Sequence, residues 1–433
     1  MKKKVLLLIV VLMSGIVLNA QTRSIKKSTP LSEDAPGSVG MSPDSLARID
    51  EMCEEAVLNG EIPGIVALIA RDGKIVYRKA FGMADNTSGR SLKPDDIFRI
   101  ASQSKAITAT AVMMLWEGGK FDLDDPISMY LPEFKNPQVL DTFQKDDTSY
   151  TTKPASGEIT IRQLLTHTSG IGYGGVLDPD VRFRMIYQKA GIFTGFTTED
   201  ISIEEFVKKL AKLPLHHNPG EKYTYGFGHD VLGYFIEVIS DMPFDVFLKE
   251  WLFDPLGMND TWFHLPEDKI NRLVSLQTKS DNDEWINCPV TNDDWDYPIK
   301  GAKKLLSGGG GLCSTAKDYA TFLQMYLNGG EFNGIRILSR KTVEYLMTNQ
   351  IGDLWGEDSG WFCGLVFNGI NQRGQDMWGV NAGTFSGQGG FNTQYFADPK
   401  DGIIGILMKQ TLNVSDDTHG NFLTLVRQAI DDK

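Results

Sequence analysis

Residues 100–116 have the sequence IASQSKAITATAVMMLW, which predicts a buried helix that begins at Ser102. After the lysine, the residues are apolar on nearly every side of the helix, so it is expected to lie inside the protein. Lys105 stands in the first turn, and burial of an unpaired ammonium either lowers its pKa or requires polar partners. Because residues three apart lie on one helical face, we expect the Lys105 amine beside the Ser102 hydroxyl.

The pattern Ser-x-x-Lys is short, and the chain contains it at Ser24/Lys27, Ser102/Lys105 and Ser314/Lys317. Ser24 lies in a polar leader, where nothing positions it. Ser314 precedes a helical pattern and is predicted to be a helix cap. Lysine is an established alternative to histidine as the base that activates a serine. The pattern at Ser102 therefore indicates a nucleophile, although a helix cap followed by a lysine that extends to solvent also fits it.

Other catalytic and metal-binding signatures are absent from the sequence. It has no Gly-x-Ser-x-Gly elbow and no His-Glu-x-x-His motif. Of the six histidines only His216 and His217 are close, and adjacent side chains point apart. The glycine run at 308–311 lacks the ending of a phosphate-binding loop. We therefore expect neither a metal nor an organic cofactor.

Antiparallel hairpins are predicted near both ends of the chain. Residues 65–70 and 74–80 are rich in β-forming residues and flank Asp72-Gly73, a hairpin signal. Residues 391–397 and 403–408 repeat this plan. One helix precedes the first hairpin and another follows the second, so terminal helices are expected to cover the sheet. Between the hairpins the patterns are mainly helical, for example at 161–167, 203–210, 231–239 and 317–327.

The first twenty residues have the pattern of a secretory signal peptide. Three lysines precede an apolar run at 5–18, and Ala20 supplies a small residue before Gln21. The run is too short to span a bilayer. We therefore expect cleavage after Ala20, a periplasmic or secreted product and no stable membrane anchor. Residues 21–41 are predicted to be a loose leader, with folding beginning near Ser42.

The composition is that of an ordinary globular protein, with 41% hydrophobic and 23% charged residues in a chain of 433. The formal net charge is −13, and loss of the three N-terminal lysines takes it to −16. Such acidity disfavours nucleic acid as a partner. The four cysteines allow three disulfide pairings, among which sequence does not choose, and we expect mostly buried free thiols. They are Cys53, Cys288, Cys313 and Cys363.

The region from 98 to 134, with Ser102-Gln103-Ser104-Lys105, resembles the serine β-lactamase and penicillin-binding-protein-like family, in its class C and esterase-like branch. Further segments agree in order, at 161–170, 219–225, 255–258 and 308–319. The resemblance covers about 42–430 and implies an α+β fold with an antiparallel sheet flanked by helices. The α/β part would comprise about 42–125 and 305–430, and a mostly helical inserted subdomain about 126–304. The site would lie between the two parts.

The resemblance also implies roles for individual residues. Ser102 is the expected nucleophile, Lys105 its partner, and Tyr225 the group that takes the serine proton and returns it to the leaving group. Gln388-Gly389-Gly390 aligns with a substrate-binding motif on an edge strand. The amide of the following residue, Phe391, would form an oxyanion hole with that of Ser102.

Two positions depart from the family pattern. Phe227 stands where many members have an asparagine, which helps to hold both the amide of the substrate and the catalytic lysine in place. Gln388 is neutral, whereas relatives that bind penicillins or peptides carry a cation at that position. These departures favour esters over D-amino-acid peptides, with β-lactams third. We predict a secreted serine hydrolase that forms an acyl-enzyme with a small-molecule or peptide substrate. The alternative is a non-catalytic binding or sensor protein, and sequence leaves the oligomeric state open.

Overall fold

The computed structural model describes residues 27–175, 178–291 and 293–432. The predicted signal peptide (1–20), the first residues of the leader and Ser24 lie outside the described residues. Among the helices that the structure describes, none has the length and apolar character needed to cross a membrane.

A nine-stranded sheet lies at the centre of the described chain. Its strands are β1 (Ser32–Glu33), β2 (Gly64–Arg71), β3 (Lys74–Asp85), β4 (Arg90–Ser91), β5 (Trp361–Cys363), β6 (Asn368–Ile370), β7 (Phe385–Gly389), β8 (Thr393–Asp398) and β9 (Ile403–Met408). Their spatial order is β1-β3-β2-β9-β8-β7-β6-β5, with β4 paired to β3. Neighbours run antiparallel except β1 and β3. The hairpins from the two chain ends therefore lie side by side.

Helices cover both faces of this sheet. They are α1 (Pro43–Leu58), α2 (Ser104–Glu117), α3 (Ile161–Leu165), α4 (Val181–Lys189), α5 (Ile203–Leu210), α6 (Gly228–Ser240), α7 (Phe244–Leu248), α8 (Asp254–Leu256), α9 (Ala316–Leu327), α10 (Arg340–Leu346), α11 (Gln372–Trp378) and α12 (Thr418–Gln428). Four two-stranded sheets lie outside the main sheet in the described chain. They pair Phe98–Arg99 with Cys313–Ser314, Gln138–Gln144 with Ser149–Pro154, Gln277–Lys279 with Trp285–Asn287, and Glu331–Phe332 with Ile335–Arg336.

Strand β2 shows how the sheet divides the core. All eight of its residues are buried, and alternate side chains of a strand point to opposite faces. Val66 and Leu68 join the large core that contains α2, α6 and α9. Ile65 and Ile69 face a second core formed with α1 and α12. The sheet is thus a middle layer between the terminal helices and the helices of the site.

The structure confirms the predicted α+β class and its terminal hairpins. Asp72 and Gly73 both have positive φ, 49° and 78°, the conformation of the tight hairpin turns that match strand twist. Helix α1 begins after Ser42, whose hydroxyl accepts a hydrogen bond from the Ser45 amide at 3.2 Å. The predicted strand at 391–397 begins two residues later, at Thr393, because Asn392 turns the chain with a φ of 70°.

The leader was predicted to be loose, but its described part packs against the folded body. Leu31 and Met41 are buried, and β1 adds a parallel strand to β3. The Ser28 amide donates to the Glu331 carboxylate at 3.2 Å. From Ser28 onward the leader is therefore packed against the folded body.

Two smaller predictions have separate outcomes. The cap of helix α9 is Thr315, whose side chain accepts from the Asp318 amide, and not Ser314. Ser314 belongs to a short strand instead, and its hydroxyl lies 2.8 Å from that of Thr261. All four cysteines are free thiols in the structure, and Cys288 is the least buried of them.

A buried ion pair joins the last strand to the last helix. The Lys409 amine donates to the Asp416 carboxylate at 2.7 Å, and each side chain is only 1% exposed. Asp416 also accepts from the Asn392 side chain at 2.8 Å, so the pair supports the turn between β7 and β8. Thr418, at the start of α12, accepts from the Lys409 amine at 2.7 Å.

We predict that Lys409→Met destabilises the protein by about 3 to 5 kcal/mol, because it leaves the Asp416 charge buried without its partner. Urea denaturation at neutral pH measures the change. Lys208→Met is the control, since Lys208 pairs with Glu204 at the surface and its loss should hardly move the midpoint. Equal shifts in the two variants would contradict the prediction.

Candidate active site

Ser102 lies in a 3-10 turn, Ala101–Gln103, directly before α2. Ala101 has a φ of 43°, a left-handed conformation that is unusual for a residue other than glycine and is often found at functional sites. The Ile100 amide donates to the Leu312 carbonyl at 3.0 Å. On the sheet side, a Cβ at Gly389 would lie 2.3 Å from the Ile100 carbonyl oxygen, so only glycine lets β7 approach this turn. The nucleophile turn is therefore fixed from both sides.

Lys105 is buried, with 7% of its surface exposed, so it does not extend to solvent. Its amine donates to the Ser102 hydroxyl at 3.3 Å, to the Tyr173 hydroxyl at 2.8 Å and to the Gly309 carbonyl at 2.6 Å. Burial by itself lowers the pKa of Lys105, but Tyr173 and Tyr225 raise it above its ordinary value. At neutral pH Lys105 is therefore an ammonium, which donates hydrogen bonds and carries a positive charge.

Tyr225 completes the predicted trio. Its hydroxyl donates to the Ser102 Oγ at 2.7 Å, and its ring lies under the Lys105 amine, 4.7 Å from amine to ring centre. The side chain is 40% exposed, so its hydroxyl faces the cleft. The backbone on both sides of Tyr225 is braced by His167, whose carbonyl accepts from the Thr224 amide at 2.7 Å and whose Nδ1 accepts from the Gly226 amide at 3.3 Å.

Tyr173 is a member of the site that sequence reasoning missed. Its ring packs against Phe227, with 4.5 Å between ring centres, and Phe227 is fully buried. Tyr173 is thus a hydrogen-bond partner of Lys105, and Phe227, which stands where the resemblance implied an asparagine, supports that tyrosine. The available signal was position, because Tyr173 follows the family-like segment 161–170 by three residues.

Asp230 is a second residue that was not assigned a role. It is buried in the first turn of α6, and its Oδ1 accepts from the Ser307 hydroxyl at 2.5 Å and from the Gly309 amide at 3.3 Å. The carbonyl of the same Gly309 accepts from Lys105. Burial raises the pKa of the Asp230 carboxyl. Its signal in the sequence is an acid in the first turn of an otherwise apolar helix.

Two buried histidines lie behind Tyr225. The rings of His167 and His229 are 5.0 Å apart between centres. Burial, followed by the charge of Lys105, lowers the pKa of His167 to about 3. Burial likewise holds the pKa of His229 well below its usual value, and its Nδ1 has no hydrogen-bond partner among the residues that the structure describes. Both imidazoles are neutral at physiological pH. Neither these histidines nor any other His, Cys, Asp or Glu in the described ranges belongs to a group of three or more arranged to hold a metal.

A cleft of about 610 Å³ opens over Ser102, Lys105 and Tyr225. Strand β7 contributes Gln388, which is exposed, together with Ser386 and Gly387. Other walls come from Tyr223, Leu165, Trp355, Trp361, Val366, Phe367 and Asn368. Among the described residues that line the cleft, Lys105 is the one lysine or arginine.

The remaining residues of the predicted substrate motif lie elsewhere. Gly389 packs against the nucleophile turn, Gly390 is exposed, and the Phe391 side chain is buried behind the site with Trp295 and Phe196. The segments 135–160 and 265–306 contribute no described residue to the cleft lining. Trp295 therefore supports the turn after β7 from behind, and the segment 355–368 forms the aromatic wall instead.

Residues 49–428 match the model of the family described as Beta-lactamase. Protein Rv1367c of Mycobacterium tuberculosis is 32% identical over 378 residues, which cover 84% of this chain and 88% of that protein. Esterase EstB of Burkholderia gladioli is 36% identical over 217 residues, which cover 50% of this chain and 51% of that protein. Among solved structures, EstCE1, described as a hydrolase with promiscuous acyltransferase activity, matches with a TM-score of 0.74 and 25% identity, covering 89% of this chain and 98% of that chain.

The neutral His167 predicts a pH dependence of stability. Its pKa is about 3 in the folded protein and about 6.5 in the unfolded chain. Below pH 6.5 the unfolded chain binds a proton that the folded protein does not, so stability falls as pH falls. Between pH 7 and pH 5, His167 accounts for a loss of about 2 kcal/mol.

Urea unfolding at pH 7 and pH 5 measures this loss. We expect the loss to be smaller by about that amount in His167→Asn, since asparagine tolerates the positive φ of 57° at this position. The pH 7 data give the packing cost of the substitution, because at that pH His167 is neutral in the folded protein and mostly neutral in the unfolded chain. An equal loss in variant and parent would overturn the assignment.

Proposed function

This chain belongs to the Beta-lactamase family and is a serine hydrolase, and we propose that within this family it hydrolyses carboxylic esters through an acyl-enzyme on Ser102. The observation that carries the proposal is the convergence of the Tyr225 hydroxyl and the Lys105 amine on one serine oxygen. The Ser102 Oγ lies 2.7 Å from the Tyr225 hydroxyl and 3.3 Å from the Lys105 amine.

In the proposed first step, the hydroxyl proton of Tyr225 is released to bulk water, which leaves a phenolate beside Ser102. The Ser102 Oγ then attacks the ester carbonyl carbon, and the serine proton passes to the phenolate oxygen of Tyr225. The Lys105 ammonium stabilises the negative charge on the Tyr225 oxygen, because the ammonium is buried beside that side chain. Collapse of the tetrahedral intermediate breaks the bond to the alcohol oxygen, which takes the proton from Tyr225. The amides of Ser102 and Phe391 are the proposed donors to the carbonyl oxygen in this step.

In the second step, water replaces the alcohol. Tyr225 accepts a proton from water as the water oxygen attacks the acyl carbon, and it returns that proton to the Ser102 Oγ as the acyl bond breaks. The products are a carboxylic acid and the free enzyme. The two proton transfers between Ser102 and Tyr225 use oxygens that lie 2.7 Å apart in the structure.

The charges in the cleft favour a neutral ester over penicillins or peptides. Those substrates carry a carboxylate, which proteins bind best with arginine or lysine. Lys105 is the one such residue among the described lining residues, and its amine already has three partners. Gln388 offers a neutral amide at the position where the family resemblance implies a cation in members that bind penicillins or peptides. The names of Esterase EstB and of the hydrolase EstCE1 agree with this preference.

We expect the purified protein to hydrolyse p-nitrophenyl butyrate and to be labelled by a fluorophosphonate probe. Ser102→Ala should lose labelling and activity, and Tyr225→Phe should lower kcat about 100-fold or more, because proton transfer is lost. Ser314→Ala, the serine of another Ser-x-x-Lys pattern, is the control and should keep both. Thermal unfolding of each variant checks that it is folded.

Three outcomes would change the proposal. Activity that persists in Ser102→Ala would exclude it as the nucleophile. Labelling without turnover in the parent would favour the sensor alternative. Faster hydrolysis of a chromogenic cephalosporin than of any ester would reverse the order of substrates.

We also propose that the protein is exported and released from its signal peptide. The support is the sequence pattern of residues 1–20, with three lysines, an apolar run and Ala20 at the cleavage position. Expression of the full chain in a bacterial host should give a product in the periplasmic or extracellular fraction. Mass spectrometry should show Gln21 at its N-terminus, whereas a product that retains residues 1–20 in the membrane fraction would contradict export with cleavage.

A further inference from the structure

A row of aromatic rings runs along one wall of the cleft from the reacting groups outward. The ring centres of Tyr225 and His167 are 4.6 Å apart, those of His167 and Tyr223 5.7 Å, and those of Tyr223 and Trp355 5.2 Å. All four residues line the cleft. We call the outer part of this row, Tyr223 and Trp355, the aromatic arm.

The aromatic arm offers ring faces and edges and no ionised group. Neighbouring His167 is neutral, since its pKa is about 3. Leu165 adds an apolar contact in the same cleft. Rings at these distances bind another flat ring by stacking or edge contacts. An aromatic group of the substrate is therefore the ligand that this wall fits.

The position of the arm decides which part of the substrate it receives. In the proposed reaction Tyr225 gives its proton to the leaving alcohol oxygen, so the alcohol departs on the side of Tyr225. The aromatic arm continues from that side. Strand β7 also lines the cleft, and its residues Ser386 and Gln388 supply neutral polar groups that we assign to the acyl portion.

We propose that the enzyme prefers esters of aromatic alcohols and that the aromatic arm, through Trp355, binds the aromatic ring of the alcohol. This inference rests on the proposed ester hydrolysis at Ser102. It makes Trp355 a specificity-determining residue that acts before the alcohol leaves. Once the acyl-enzyme has formed, the alcohol is gone, and Trp355 has no further effect on hydrolysis.

The test compares two esters with the same acyl group, benzyl acetate and butyl acetate. We expect Trp355→Ala to lower kcat/KM about 10-fold for benzyl acetate and less than 2-fold for butyl acetate. Trp355→Phe, which keeps a ring, should recover most of the loss. Trp378→Ala is the matched control, since Trp378 is a partly exposed tryptophan (42%) next to Trp361 but is not among the cleft-lining residues. It should leave both values unchanged.

Two further measurements separate the possible failures. Methyl phenylacetate carries its ring on the acyl side, and a larger loss for this ester than for benzyl acetate in Trp355→Ala would assign the arm to the acyl group and overturn the proposal. An equal loss for benzyl and butyl acetate would also overturn it. If the parent hydrolyses no ester and is not labelled by fluorophosphonate, the proposed function itself fails. If the parent is labelled and hydrolyses butyl acetate normally, the proposed function stands. A failed prediction for Trp355→Ala then concerns the aromatic arm alone.

Discussion

The buried ammonium of Lys105 is the constraint around which this site is organised. An ammonium has three protons to donate, and here they meet a serine hydroxyl, a tyrosine hydroxyl and a backbone carbonyl. All three partners are neutral, so the positive charge of Lys105 is not cancelled by a direct ion pair. It remains available to stabilise negative charge as that charge develops on neighbouring oxygens.

The partners of Lys105 are themselves held by buried groups. Phe227 packs on Tyr173, and Asp230 binds the amide of Gly309, whose carbonyl binds the lysine. Gly389 allows the sheet to approach the Ser102 turn closely, and Asn392 with the Lys409–Asp416 pair supports the next turn. Many of the residues around the reacting atoms therefore serve to hold those atoms in place, and they belong to rigid elements packed in the two cores.

The fold was predictable where local signals are strong. Asp72-Gly73 marked the first hairpin, and the apolar spacing at 203–210 matched helix α5. The short strands β5 and β6 and the wall at 355–368 were not predicted. Each of these strands has three residues and pairs with partners that lie close only in the folded chain, so it has no periodic pattern of its own. The aromatic wall of the cleft was missed for the same reason.

By itself the sequence determined the nucleophile candidate, the lysine one turn away, the tyrosine at 225, and the two-ended α+β plan, because each depends on spacing along the chain or on a family-like segment. Only the tertiary structure decided which groups meet Lys105, and that Phe227 is buried against Tyr173 and is not among the residues that line the cleft. It also placed Trp355 in the cleft and Trp295 behind it. These outcomes depend on which distant segments pack together, and one-dimensional spacing carries no information about that.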